Sequence, residues 1–157
     1  MTTMRWAGLA TLAIFIAALG CASVPPGSDT LAEEARRFTP PPGKANLYAV
    51  REWSVFRSGI VWPVTLDFKE FGNVGQRSYL YGVVGPGEHV LGANLPGPVP
   101  NRVKFTAEAG RNHFFRLSAA PGWLAGMIRI EILDEETGRA LIAKYTLSAD
   151  YRFEFER

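Results

Sequence analysis

The chain has 157 residues, with 17 lysines and arginines against 15 aspartates and glutamates and a single cysteine. So even a balance argues against nucleic acid, whose phosphates call for a concentrated basic face, and one cysteine excludes an internal disulfide. The length suits one domain with a modest core.

The first element is an export signal. Met1 to Arg5 carries one positive charge and no acid, and Trp6 to Leu19 then runs without any charge. That is a basic segment followed by an apolar segment of signal-peptide length. It falls short of the roughly 20 apolar residues of a spanning helix and is followed by Ser23, Pro25, Pro26, Gly27, Ser28 and Asp29. Ala18, Leu19 and Gly20 before Cys21 resemble the lipobox of bacterial lipoproteins, with Ala18 where leucine is usual. The resemblance implies that the chain is cut between Gly20 and Cys21 and that Cys21 carries the lipid. Ala22 in place of aspartate implies the outer membrane, with the domain in the periplasm. The plainer alternative makes Cys21 an ordinary small residue beside a conventional cleavage site. A lipidated Cys21 would explain why an exported protein has no cysteine to pair with it.

Residues 21–44 read as lipid anchor and flexible tether, because Pro25, Pro26 and Gly27, then Pro40, Pro41, Pro42 and Gly43, favour extended chain. Between them Asp29 to Phe38 is expected to form a short helix, capped by Ser28 or Asp29, with Glu33 completing a capping box. A solvated spacer is the expected role, with a docking helix as the alternative.

The rest of the chain, 45–157, reads as strands. Leu47 to Phe56 is rich in β-formers, and Ile60 to Phe68 follows with Pro63 marking an edge or bulge. Ser78 to Val84 and Glu88 to Ala93 flank Gly85, Pro86 and Gly87, which predicts a tight hairpin turn. After a proline-rich loop, Leu95 to Asn101, come Arg102 to Ala107, a turn at Gly110 to Asn112, and His113 to Ser118. A loop with Pro121, Gly122 and Trp123 precedes Met127 to Leu133, where Ile128, Ile130 and Ile132 alternate with Arg129 and Glu131. Asp134 to Tyr145 fits either a helical stripe or a hairpin at Thr137 and Gly138, and strand is slightly favoured. Tyr151, Phe153 and Phe155 alternate with charged residues in a last strand. The pattern predicts an all-β fold, an antiparallel β-sandwich of about seven to nine strands.

Ala45 to Arg51, then Val64, Leu66 and Asp67, then Val84 to Leu91 with its Pro-Gly-x-His turn, then Phe105, Ala109, Gly110 and Phe114-Phe115-Arg116, are similar to the bacterial lipoprotein family catalogued as domain of unknown function 2846. The resemblance spans roughly Ala45 to Leu147 and departs at Trp53 to Trp62 and at the Leu95 to Pro100 loop. It implies a secreted sandwich on a lipid anchor and brings no catalytic residues.

Catalytic constellations are missing from the sequence. His89 and His113 are the two histidines, Glu88 and His89 alternate faces of a strand, and no metal site is expected. No Gly-x-Ser-x-Gly elbow occurs, and Gly82 to Gly87 lacks the Lys-Ser or Lys-Thr of a phosphate loop. Asp67 and Glu70 read as ordinary surface carboxylates. Gly85, Gly87 and His89 are expected to fix a structural turn, the imidazole bonding its backbone or a neighbouring strand. Trp53, Phe56, Trp62, Tyr79 and Tyr81 are expected mainly in the core, while Trp62 and Trp123 are the candidates for a binding surface. The expected protein is therefore a non-enzymatic envelope lipoprotein, without cofactor, bound to the membrane by its lipid and offering a sandwich to an envelope protein partner. The alternative is a module binding envelope glycan or a small molecule.

Overall fold

The computed structural model describes residues 24–55, 58–93, 101–120, 127–148 and 154–155. Two sheets face each other, and a layer of two helices covers the outer side of the larger one. In chain order these are α1 (Asp29–Arg37), β1 (Ala45–Arg51), β2 (Trp62–Leu66), β3 (Lys69–Val74), β4 (Ser78–Val84), β5 (Gly87–Ala93), β6 (Asn101–Ala107), β7 (Asn112–Ala120), β8 (Met127–Leu133), α2 (Glu135–Lys144), β9 (Thr146–Leu147) and β10 (Glu154–Phe155). The larger sheet runs β10-β4-β1-β7-β8, with β9 also on β4, and the smaller runs β3-β2-β5-β6.

The fold is the expected sandwich, but its pairing is not uniformly antiparallel. β1 pairs β4 antiparallel and β7 parallel, from Asn46 opposite Asn112 to Arg51 opposite Leu117. β9 and β10 also run parallel to β4. Of the last expected strand only Glu154 and Phe155 are described, and Tyr151 and Phe153 lie outside the described residues.

Both faces of β1 are buried, which is why its sequence lacks a clean polar alternation. Ala45, Leu47 and Ala49 meet Trp62, Val64, Leu66, Leu91 and Phe115 between the sheets. Tyr48 and Val50 point the other way, with Phe114 of β7, to Leu31, Ala35 and Ile142 in the helix layer. On β8 the apolar face predicted from alternation is covered at Ile128 and Ile130, whereas Ile132 stands exposed.

The segment expected to be a solvated spacer is instead part of the folded body. Leu31, Ala32 and Ala35 of α1 are buried against the larger sheet. The Tyr48 hydroxyl donates to Ala35 O at 2.7 Å, and Asn112 Nδ2 donates to Phe38 O at 2.9 Å, so the sheet satisfies carbonyls at the helix end. Asn46 links these groups, donating to Asn112 Oδ1 and accepting from the Tyr81 hydroxyl. Ser28 is the N-cap, accepting from Leu31 N. The third helical position is thus Leu31, and Glu33 falls outside any capping box.

Residues 135–144 form a helix, not the slightly favoured strand. Asp134 caps it through Thr137 N and its hydroxyl, which turns the Thr-Gly pair from a hairpin signal into a first helical turn. Gly138 then serves packing. A Cβ there would fall 2.2 Å from Phe114 Cγ, so α2 sits on the aromatic ring only because this position has no side chain.

Candidate functional site: the histidine clamp and the loop end

The β2–β3 hairpin turns through Asp67 and Phe68, both in the left-handed region at φ 49° and 65°. Two such residues make the turn whose twist matches paired strands, a place usually taken by Asn-Gly or Asp-Gly. Here neighbouring β5 holds it. Asp67 N donates to Val90 O at 2.9 Å, and Val90 N donates to Asp67 Oδ1 at 3.0 Å. The other carboxylate oxygen is 2.7 Å from His89 Nδ1, while His89 Nε2 lies 3.0 Å from Gly85 O. A carbonyl can only accept, so Nε2 carries a proton.

Asp67 is therefore no ordinary surface carboxylate. Its role was hidden because the partner lies 22 residues away in the chain. His89 is buried with both nitrogens engaged, which leaves no free nitrogen for general-base work. Gly85 to Gly87 joins β4 of one sheet to β5 of the other, so it is a crossing between sheets and not the expected hairpin turn. Gly87, at φ 133°, requires glycine. His89 ties this crossing to the β2–β3 turn.

His113 lies near the same cluster, with the Phe105 ring between it and His89 at centroid distances of 5.7 and 5.6 Å. Its Nε2 accepts from Glu108 N at 3.2 Å. Burial lowers its pKa, opposed by the Glu108 charge and reinforced by Arg111 and His89.

A second group of residues gathers at the opposite end of the sandwich. Trp62, a candidate for the binding surface, is 0% exposed, lying between the sheets. The Arg51 guanidinium stacks on its ring at 3.7 Å. Arg51 Nη1 donates to Ile60 O at 2.5 Å and approaches Val74 O at 3.4 Å. Burial lowers the Arg51 pKa to about 10, which still leaves it charged at neutral pH. An arginine inside a strand of β-formers gives no sign of this role in the sequence.

The chain from β1 to β2 is pinned here at three points. Arg116 Nε meets Glu52 Oε1 at 2.6 Å, Ser54 exchanges two bonds with the Gln76 side chain at 2.9 and 2.8 Å, and Arg51 holds Ile60 O. Between the pins Trp53, Val55 and Ile60 point outward, 56%, 73% and 41% exposed. Three apolar side chains are thus exposed at the loop end, on chain held at Glu52, Ser54 and Ile60.

Tyr79 and Tyr81 are in the core as expected. Phe56, Trp123, Gly20 and Cys21 lie outside the described residues. Among the described residues no three His, Cys, Asp or Glu side chains lie together as a metal site, and no helix is long and apolar enough to cross a membrane. No family model matches the chain, and no curated protein is found similar to it.

Proposed function

We propose that the protein is a lipid-anchored, non-enzymatic lipoprotein of the bacterial cell envelope, facing the periplasm from the outer membrane and presenting its sandwich to a protein partner. One observation carries the reading. The chain's single cysteine follows the uncharged run of residues 6–19 and small Gly20 directly. We propose with it that the chain belongs with the lipoproteins catalogued as domain of unknown function 2846, on the residue pattern of Ala45 to Arg51 and Val84 to Leu91 alone.

The surface offered to the partner is the outer edge of β8, to which no further strand pairs among the described residues. β8 lies at its end, paired to β7 from Phe114 opposite Leu133 to Ala120 opposite Met127. Exposed Ile132 stands on that strand. An edge strand with an uncovered apolar side chain can take an added strand from another protein, backbone bonds giving affinity and the side chain giving specificity.

Crosslinking and pull-down from intact cells test this, comparing the native protein with Cys21→Ala. A discrete partner captured by the native form alone is the expected result. Equal recovery with both forms would overturn the anchor, and no discrete partner under any growth condition would overturn the interaction role.

A further inference from the structure

The strand directions place the end of β1, the end of β7 and the turn from β3 to β4 at one end. β1 and β7 run parallel, so Arg51 and Leu117 lie side by side and the chain leaves β1 at the end toward which β7 points. The turn from β3 to β4 returns to this level, since Arg51 pairs with Ser78 and its guanidinium reaches Val74 O. The far end holds the β2–β3 turn's anchor on β5, the 85–86 crossing and the turn before β7.

The N-terminal chain arrives at the loop end as well. Pro26 bridges Ser148, and Gly27 N donates to Leu147 O at 2.9 Å. Val24 lies against Gly75, where a Cβ would come within 3.1 Å of Val24 Cγ2. Gly75 precedes Gln76, whose side chain pins Ser54 between exposed Trp53 and Val55. The point where the chain joins the body and these exposed side chains therefore share one turn.

Val24 is three positions along the chain from Cys21. At about 3.3–3.6 Å per residue that chain spans at most roughly 11 Å. A body tied to a bilayer at Cys21 can hardly stand away from it, and the surface nearest the tie is the one bearing Trp53, Val55 and Ile60. Tryptophan and aliphatic side chains favour the interfacial zone of a bilayer.

We propose that this end of the sandwich is a membrane-contact surface, with Trp53, Val55 and Ile60 seated in the headgroup region of the bilayer that holds the anchor. The proposal rests on the anchor reading above and deepens it. The lipid fixes where the protein is, and the loop fixes which way it faces. The far end and the β8 edge are then left open to the aqueous side.

The test uses the full-length protein produced in bacteria and reconstituted into phospholipid vesicles. A lipidated Cys21 has no free thiol, so Val55→Cys and, as a far-end control, exposed Glu88→Cys each offer one site for a nitroxide. Expected is a several-fold lower collision rate with a water-soluble nickel relaxant at position 55 than at 88, and a higher rate with oxygen. Equal exposure of both sites to the nickel reagent, in protein that floats with the vesicles, would overturn the contact and leave the anchor standing. Protection at position 55 that disappears as the protein is diluted in lipid would indicate contact between copies and overturn it too. If unsubstituted protein labels at Cys21 and does not float, the anchor fails and the contact with it.

Discussion

Asp67 shows how much one side chain can organise. It occupies a left-handed position, accepts from a backbone amide of β5 and meets a buried imidazole. Replacing it with alanine leaves His89 and Val90 N without that acceptor inside the fold. Asp67→Ala is expected to cost about 3 kcal/mol, and Asp67→Asn less, because one amide oxygen can still accept from Val90 N. Urea unfolding of the three proteins checks the order. His113 gives the pH counterpart. Its pKa in the fold lies below the ordinary value, so the unfolded chain binds the proton more readily. The stability contributed by neutral His113 is complete above the unfolded pKa, near 6.5, and is lost as pH falls through it toward the folded value. Melting temperature is expected to drop on acidification from roughly pH 7.5 to roughly pH 5, and His113→Gln to remove part of that drop.

At the scale of elements, α2 supplies a substitution whose sign reverses the usual rule. Glycine to alanine within an exposed helix stabilises by about 1 kcal/mol. At Gly138 the added methyl group would enter the Phe114 ring, which is stacked on Tyr48 at 4.7 Å. Gly138→Ala is expected to destabilise by about 1–3 kcal/mol, and thermal unfolding monitored by circular dichroism would show it. The same glycine explains a limit of reading from sequence. Strands with one wet face were legible through alternation, as at Ile128 to Glu131, and the turn before β7 through Gly110. Helix α2 was not, because Thr137 and Gly138 match a hairpin locally and only the distant ring of Phe114 gives the glycine another reason. The pairing of β1 with β7 and the crossing at Gly85 were hidden for the same cause, since neither partner lies nearby in the chain. Of the two sites, the His89 side of the clamp could be read from its turn. Arg51, Gln76 and Asp67 could not, for what matters about each is a group brought in by folding.

For the whole molecule, the boundary drawn at residue 45 from proline content falls in the wrong place. The layer formed by α1 covers Tyr48, Val50, Tyr81 and Phe114, and Tyr48 and Asn112 bond to its carbonyls. A protein beginning at Ala45 would expose that apolar face, an expected cause of aggregation. One beginning at Val24 keeps the covering helix. Expression of both, compared by soluble yield and by size-exclusion chromatography, is expected to recover a monodisperse species only from the longer one.

The parallel pairing of β1 with β7 also sets a clock. Asn46 must wait for Asn112, and Arg51 for Leu117, before the middle of the larger sheet can close. Closing such distant pairs is slow, because the loop entropy is lost before the contacts reward it. While the chain is being made, its first strand therefore has no neighbour on that side until three quarters of the polypeptide exists. If the chain is exported as proposed, passage through a narrow channel as an extended thread would gain from that delay, since the topology that locks the finished sandwich keeps the growing one open.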